Sequence, residues 1–168
     1  MNLQRETAAK RIRVGVLEDA PSIAAVLLEA FMEYKSLYTP EGFAATTPSS
    51  AHIGDRLKEG PVWVVICNHV IVGTVSVVPR NDSFYVRGMA IVPSARGQRV
   101  GELLLRQVER YASELSYNRL LLSTTPFLGR AIRLYEHHGF RRTSEGPDNL
   151  FGTPIFTMEK LLDLQPRH

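Results

Sequence analysis

The apolar positions change their spacing several times along the chain. Ile12 to Leu17 reads as a short strand, and Glu18-Asp19-Ala20-Pro21 is a helix start, with Asp19 at the cap and Pro21 in the first turn. Ile23, Val26, Leu27, Ala30, Phe31 and Tyr34 then recur at helical spacing. Lys35 to Pro48 breaks that spacing with Pro and Gly yet carries Tyr38 and Phe43, which predicts a loop folded against the body. A short second helix is expected from about Ser49 to Glu59, stopped by Gly60.

The middle of the chain is a block of strand formers. PVWVVIC, VIVGTVSVV and SFYVRGMAIV, with turn signals at Asn68-His69 and at Pro79 to Ser83, predict three antiparallel strands. A long helix follows, with Val100, Leu103, Leu104, Val108, Tyr111, Ala112 and Leu115 as its buried stripe. Arg119 to Thr125 has the continuous apolar run of a strand covered on both faces, and with the helix before it completes a β-α-β unit. PFLGRAIRLYEHHGF predicts a helix of about ten residues stopped by Gly139, with Phe140 leading into a strand; Thr153 to Leu161 is the final strand.

No repeat, low-complexity stretch or linker divides the 168 residues, which predicts one domain over 1–168 with its core at about 13–161. No window approaches the roughly 18 to 20 apolar residues of a membrane span. MNLQRETAAKRIRV lacks a signal-type apolar core, and the single cysteine, Cys67, lies in an apolar run as a small core residue; a reducing, cytoplasmic setting is expected. One cysteine and five scattered histidines assemble no zinc spacing, so no metal is expected. The net charge of +3 is too small to argue for nucleic acid, but between Val86 and Arg142 ten arginines face four glutamates. Arginines without interleaved exposed aromatics suit a compact phosphate-bearing ligand better than a single-stranded nucleic acid.

One stretch concentrates this charge. VPSARGQRVGELLLRQVERYA, Val92 to Ala112, joins the third strand of the block to the long helix through a turn with two glycines and two arginines. The unpaired amides and positive dipole end of a helix start suit an anion. Neither GxGxxG nor a Walker GxxxxGK[ST] is present, and three antiparallel strands before the turn fit neither nucleotide-binding motif.

The element order, from about Arg13 to Leu161, resembles the GNAT-type N-acetyltransferase superfamily. Its pyrophosphate loop, Gln/Arg-x-x-Gly-x-Gly/Ala, is similar to Arg96-Gly97-Gln98-Arg99-Val100-Gly101; Met89-Ala90-Ile91-Val92-Pro93 resembles its cofactor strand, and Ala131-x-x-Leu134-Tyr135-Glu136-x-x-Gly139-Phe140 its penultimate helix and turn. Arg99 stands where the family has a middle Gly, Leu128 where it often has Asn, and the strand Ser83 to Val92 carries no Glu. The resemblance implies a mixed α/β (α+β) fold, a mostly antiparallel central sheet of about seven strands flanked by about four helices.

It also implies the ligand, acetyl-CoA. The pyrophosphate would sit on the amides of Gly97, Gln98, Arg99, Val100, Gly101 and Glu102, with Arg96 adding a charge-assisted contact. Arg130 and Arg133 are either contacts to the remaining phosphate or exposed helix residues. The pantetheine arm would pair with the strand at Met89, Ala90 and Ile91, whose amides would also face the developing oxyanion, and Gly88 marks either a bulge that opens the slot or a close contact. Tyr135 matches the general acid. The base is open among a backbone carbonyl reached through water, Glu33, Glu145 and Asp148. Tyr34, Tyr38, Phe43, Tyr85 and Arg87 are offered to the acceptor, a primary amine of a small molecule or peptide, with Arg87 either holding a carboxylate or making a surface ion pair. A homodimer is allowed by the resemblance. The competing reading is a non-catalytic acyl-CoA sensor; nucleic acid and membrane partners are not expected.

Overall fold

The first strand of the computed structural model, which describes residues 9–163, is β1 (Lys10–Val14). It ends at Val14 rather than Leu17, because the Gly15 amide turns to the Val62 carbonyl (2.6 Å) and Leu17–Asp19 form a 3-10 turn. Residues 1–8, the larger part of the segment read for a leader, lie outside the described range. Helix α1 (Ala20–Phe31) begins with Pro21 in its first turn, but Asp19 does not cap it. The Asp19 carboxylate instead accepts the Val16 amide (2.8 Å) and both terminal nitrogens of Arg13 (2.6 and 2.9 Å). Tyr34 lies beyond α1, in a 3-10 segment, Met32–Leu37.

The expected loop from Lys35 to Pro48 is largely helical. Helix α2 (Pro40–Thr46) starts at Thr39, whose hydroxyl accepts the Gly42 amide (3.0 Å), with Pro40 in the first helical turn. A good cap followed by proline outweighs Gly42 as a breaker. Helix α3 (Ser50–Glu59) is capped by Ser49 and stops at Gly60, as the sequence predicts.

Then come β2 (Val62–Cys67), β3 (Val70–Arg80) and β4 (Ser83–Ile91), joined by tight turns. Pro79 and Arg80 stay in β3, opposite Phe84 and Ser83, so the second turn is only Asn81-Asp82. Helix α4 (Val100–Glu114), β5 (Arg119–Thr124), α5 (Gly129–His137) and β6 (Arg141–Thr143) follow. The expected single last strand is divided. Pro154 has no amide to continue a ladder, and the Ile155 amide turns to the Asp148 carbonyl (3.1 Å), so β8 (Thr153–Pro154) pairs with β7 (Asn149–Leu150), and only β9 (Phe156–Leu161) joins the main sheet.

The main sheet has seven strands in the order β1-β2-β3-β4-β5-β9-β6. All neighbours are antiparallel except β4 and β5, which the α4 crossover makes parallel. This is the expected mixed, mostly antiparallel architecture, with five α-helices among the described residues rather than about four. None of the described helices is long and apolar enough to cross a membrane.

Helices cover both faces of β2, which is why Val62 to Val65 are buried without alternation. Trp63 meets Tyr111 of α4 edge-on (5.2 Å), while Val64 and Ile23 of α1 both lie beside Gly15. The buried side of α4 is Val100, Leu104, Leu105, Val108 and Ala112; Leu103 and Tyr111 are partly covered. Leu115 was expected inside but is 50% exposed, because the helix ends one residue earlier. Cys67 is also not a core residue: it closes β2 opposite Lys10 and is partly exposed.

Gly73 of β3 seats the start of α4. A Cβ there would stand 2.6 Å from Val100 Cγ1 and 3.3 Å from Leu104 Cδ1. We expect Gly73→Ala to destabilise the fold by about 1–3 kcal/mol through overpacking. Denaturant titration checks it, and an unchanged midpoint would mean that α4 can shift freely.

Candidate active site

The β3–β4 ladder carries one extra residue on β4: Ser76 faces Arg87, but Thr74 faces Ala90. The bulge is at Gly88, whose φ of +60° suits glycine. On its other edge β4 pairs with β5 only at Phe84–Leu120 and Tyr85–Leu121. Beyond Tyr85 that edge has no strand partner among the described residues, which leaves its backbone groups open to a ligand.

A cavity of about 370 Å3 opens along this edge, between β4, the loop before α4 and helix α5. Met89 and Ile91 line it from β4, whereas the Ala90 side chain is buried away from it. Gly97, Arg99, Val100, Gly101 and Glu102 line it from the loop and first turn of α4; Gln98 instead reaches the Ser94 carbonyl (3.2 Å). The first backbone bond of α4 runs from the Leu103 amide to the Arg99 carbonyl (3.1 Å), which leaves the Val100, Gly101 and Glu102 amides without a carbonyl one turn earlier. Arg99 adopts φ +64°, so an L-residue holds the left-handed conformation here at a cost of about 1 kcal/mol. A Cβ at Gly97 would meet open space. Gly101 is bare because α5 packs against it: a Cβ there would stand 2.6 Å from Leu134 Cδ2 and 3.1 Å from Ile91 Cδ1.

Charge around this cavity is positive. Arg96, Arg99 and Arg130 line it, and Arg133 does not. Arg96 is ion-paired with Glu33 and reaches the Ala30 carbonyl (3.3 Å), which ties the loop to the end of α1. Tyr34 also lines this cavity and stacks on Phe127 (6.0 Å).

A smaller cavity of about 240 Å3 lies on the other side of the same wall. Tyr38, Tyr85, Arg87 and Gly88 line it, with Arg56 of α3 and the hydroxyl residues Ser123, Thr124 and Thr125 that follow the split on β5. Phe43 is outside it; its ring supports Tyr38 from behind (5.9 Å, edge-on). Phe31, Met89, Leu128 and Tyr135 line both cavities. The sequence reading missed Arg56 and the three hydroxyl residues, because only the packing of α3 and the parting of the strands bring them here.

Tyr135 is 8% exposed, its ring backed by Phe140 (5.9 Å). Burial, with the nearby Tyr38 and Tyr85, pushes its hydroxyl well above the ordinary tyrosine range. The open base candidates are elsewhere or engaged. Glu33 holds Arg96, Glu145 holds Arg119 (2.5 Å), and Asp148 faces Asn149 (3.2 Å). No described residue lining the smaller cavity is a carboxylate or an imidazole. His137 and His138 line the larger one, where burial lowers the His138 pKa.

The family of the chain follows from its likeness to known proteins. The acetyltransferase (GNAT) domain family matches residues 58–142, half of the chain. An uncharacterised N-acetyltransferase of Escherichia coli K12, YjgM, is 30% identical over 74% of this chain and 77% of its own. The chain therefore belongs to the GNAT acetyltransferase family. Zebrafish N-acetylaspartate synthetase is 34% identical over 51% of this chain, which corresponds to 31% of that protein. The PaiA N-acetyltransferase of Thermoplasma acidophilum, solved in complex with coenzyme A, superposes with a TM-score of 0.78 over 91% of this chain and 99% of its own; at 16% identity the likeness is one of fold.

A raised pKa keeps Tyr135 protonated through and beyond neutrality. In an absorbance titration of tyrosinate, the increment up to about pH 10 should be the same for wild type and Tyr135→Phe. A smaller increment in the variant would show that Tyr135 ionises with the exposed tyrosines.

Proposed function

We propose that the chain is an acetyl-CoA-dependent N-acetyltransferase that acetylates a primary amine of a small molecule or peptide by direct attack. The observation that carries this is the position of Tyr135 on the wall shared by two cavities, one edged by a phosphate-type loop and the other open to an acceptor. The family supports the reaction, and the relative solved with coenzyme A supports the ligand.

The larger cavity fits such a ligand. Free amides at Val100 to Glu102 and the Arg96, Arg99 and Arg130 side chains would hold its phosphates. Because Arg96 is paired with Glu33, its approach to a phosphate exchanges one anion for another. The unpaired edge of β4 at Met89 to Ile91 would receive the peptide-like arm and place amide donors at the reacting end. When bound, acetyl-CoA supplies an acetyl group on sulfur; its transfer forms a C–N bond, breaks a C–S bond and leaves a thiolate that needs a proton.

Tyr135 holds that proton. Burial keeps the hydroxyl protonated but makes it a weaker acid than a free tyrosine, so the transfer relies on the departing thiolate being made more basic by the same enclosure, and the tyrosinate left behind regains a proton from solvent. The amine must give up its own proton, and with no carboxylate or imidazole among the described residues of the acceptor wall, water carries it away. Phe31, Met89 and Leu128 provide apolar surface on both sides of the reacting position.

Thermal unfolding with acetyl-CoA, CoA, 3′-dephospho-CoA and ATP tests the binding half. Acetyl-CoA at 100 times its Kd should add about 2.7 kcal/mol of stability, and ATP should add little. Tyr135→Phe should keep that shift and lose about 100-fold or more in kcat. If none of the four gives a shift the proposal is overturned, and a shift without turnover of any amine would favour a sensor.

A further inference from the structure

The acceptor cavity holds a charge arrangement that the acetyl-transfer chemistry does not require. Arg56 of α3 and Arg87 of β4 both line it. Arg87 is ion-paired with Glu59 through one terminal nitrogen, Nη2, and Glu59 is half exposed and outside the cavity lining. Arg87 Nε is enclosed without a hydrogen-bond partner. Arg56 has no carboxylate within ion-pair distance among the described residues, although it feels Glu59 at longer range. Burial and the neighbouring Arg87 both disfavour its charge.

The backbone makes room for this guanidinium. A Cβ at Gly88 would stand 3.0 Å from Arg56 Nη1, so the bulge that ends regular β3–β4 pairing also seats Arg56 against bare backbone. Two cations and one carboxylate leave this corner with an uncompensated positive charge. The wall carries further unsatisfied groups: the Ser123 and Thr124 hydroxyls are enclosed without partners. Enclosed polar groups without partners are rare in folded proteins and each needs a reason in its surroundings.

We propose that the acceptor is a small amine that also bears a carboxylate, of amino-acid type, with the carboxylate held by Arg56 and Arg87 and the amine directed toward Tyr135. The cavity volume of about 240 Å3 is that of a small-molecule site, and the planar guanidinium suits a carboxylate. The fixed partner Glu59 orients Arg87, while the unpaired Arg56 supplies the free charge. This deepens the acetyl-transfer reading and rests on it for the fate of the amine, but not for the binding of the acid.

The test compares matched pairs with acetyl-CoA present: glycine, alanine, aspartate, glutamate and phenylalanine against their carboxamides. Release of CoA reports turnover, and titration calorimetry on the protein reports binding. The free acids should be favoured in kcat/KM by about 10- to 100-fold over the amides, the worth of hydrogen bonds to a charged group. Arg56→Gln should raise KM for the acid and erase that preference while leaving KM for acetyl-CoA unchanged; Arg56→Lys should restore part of it. An unchanged Tm shift with CoA confirms that the variants are folded. Equal or better use of the amides, or a preference unaffected by Arg56→Gln, would overturn the proposal. If no pair is turned over, calorimetry decides: carboxylates that bind wild type and not Arg56→Gln support it, and acids that bind neither overturn it. Failure of acetyl-CoA to bind, with carboxylate binding intact, would count against the acetyl-transfer reading and not against this one.

Discussion

The parting of β4 from β5 after Tyr85 is the constraint on which the site depends. A parallel pair buried under helices would normally continue for the length of both strands. Here it stops after two residue pairs, and the extra residue at Gly88 re-aims β4 at the same place. The parting has consequences on both sides. Toward the α4 loop it leaves an unpaired strand edge facing the apolar side chains of α5; toward β5 it leaves a cavity walled by Ser123, Thr124 and Thr125. Tyr135 reaches the wall between the two because α5 follows β5 directly and packs across the opening.

Electrostatics then distinguishes the two cavities. The larger one draws on fixed partial charges at the start of α4 and on arginines at its rim, an arrangement for a multiply charged anion. Its Arg96 is held by Glu33, so the loop is tied to α1 rather than left floating. The smaller cavity has two guanidiniums, one exposed carboxylate partner and no general-base side chain among its described lining residues.

Much of the fold and of the loop that edges the larger cavity was legible in the sequence because both are local. The period of α1, the β-branched runs of β2 to β4 and the Gly139 stop each report on a few adjacent residues. The loop from Arg96 to Glu102 is likewise one continuous stretch, and its backbone accommodates Arg99 at a position the family gives to glycine by holding it left-handed. What stayed hidden depended on distant pairs. Thr39-Pro40 is a helix start, but Gly42 beside it reads as a breaker until Thr153 and the β7–β8 hairpin close over α2. The role of Gly101 is visible only once Leu134 is packed against it. Arg56 gave no signal, since on its helix it looks like one more solvated cation and only the packing of α3 beside the Gly88 bulge brings it to the smaller cavity.

The most direct measurement of the central claim is a crystal structure of the chain with coenzyme A. The split-strand arrangement predicts the pyrophosphate on the amides of Val100 to Glu102, the arm along β4 at Met89 to Ile91, and the thiol within hydrogen-bonding reach of the Tyr135 hydroxyl. Coenzyme A seated elsewhere, or bound with its thiol turned away from Tyr135, would contradict it.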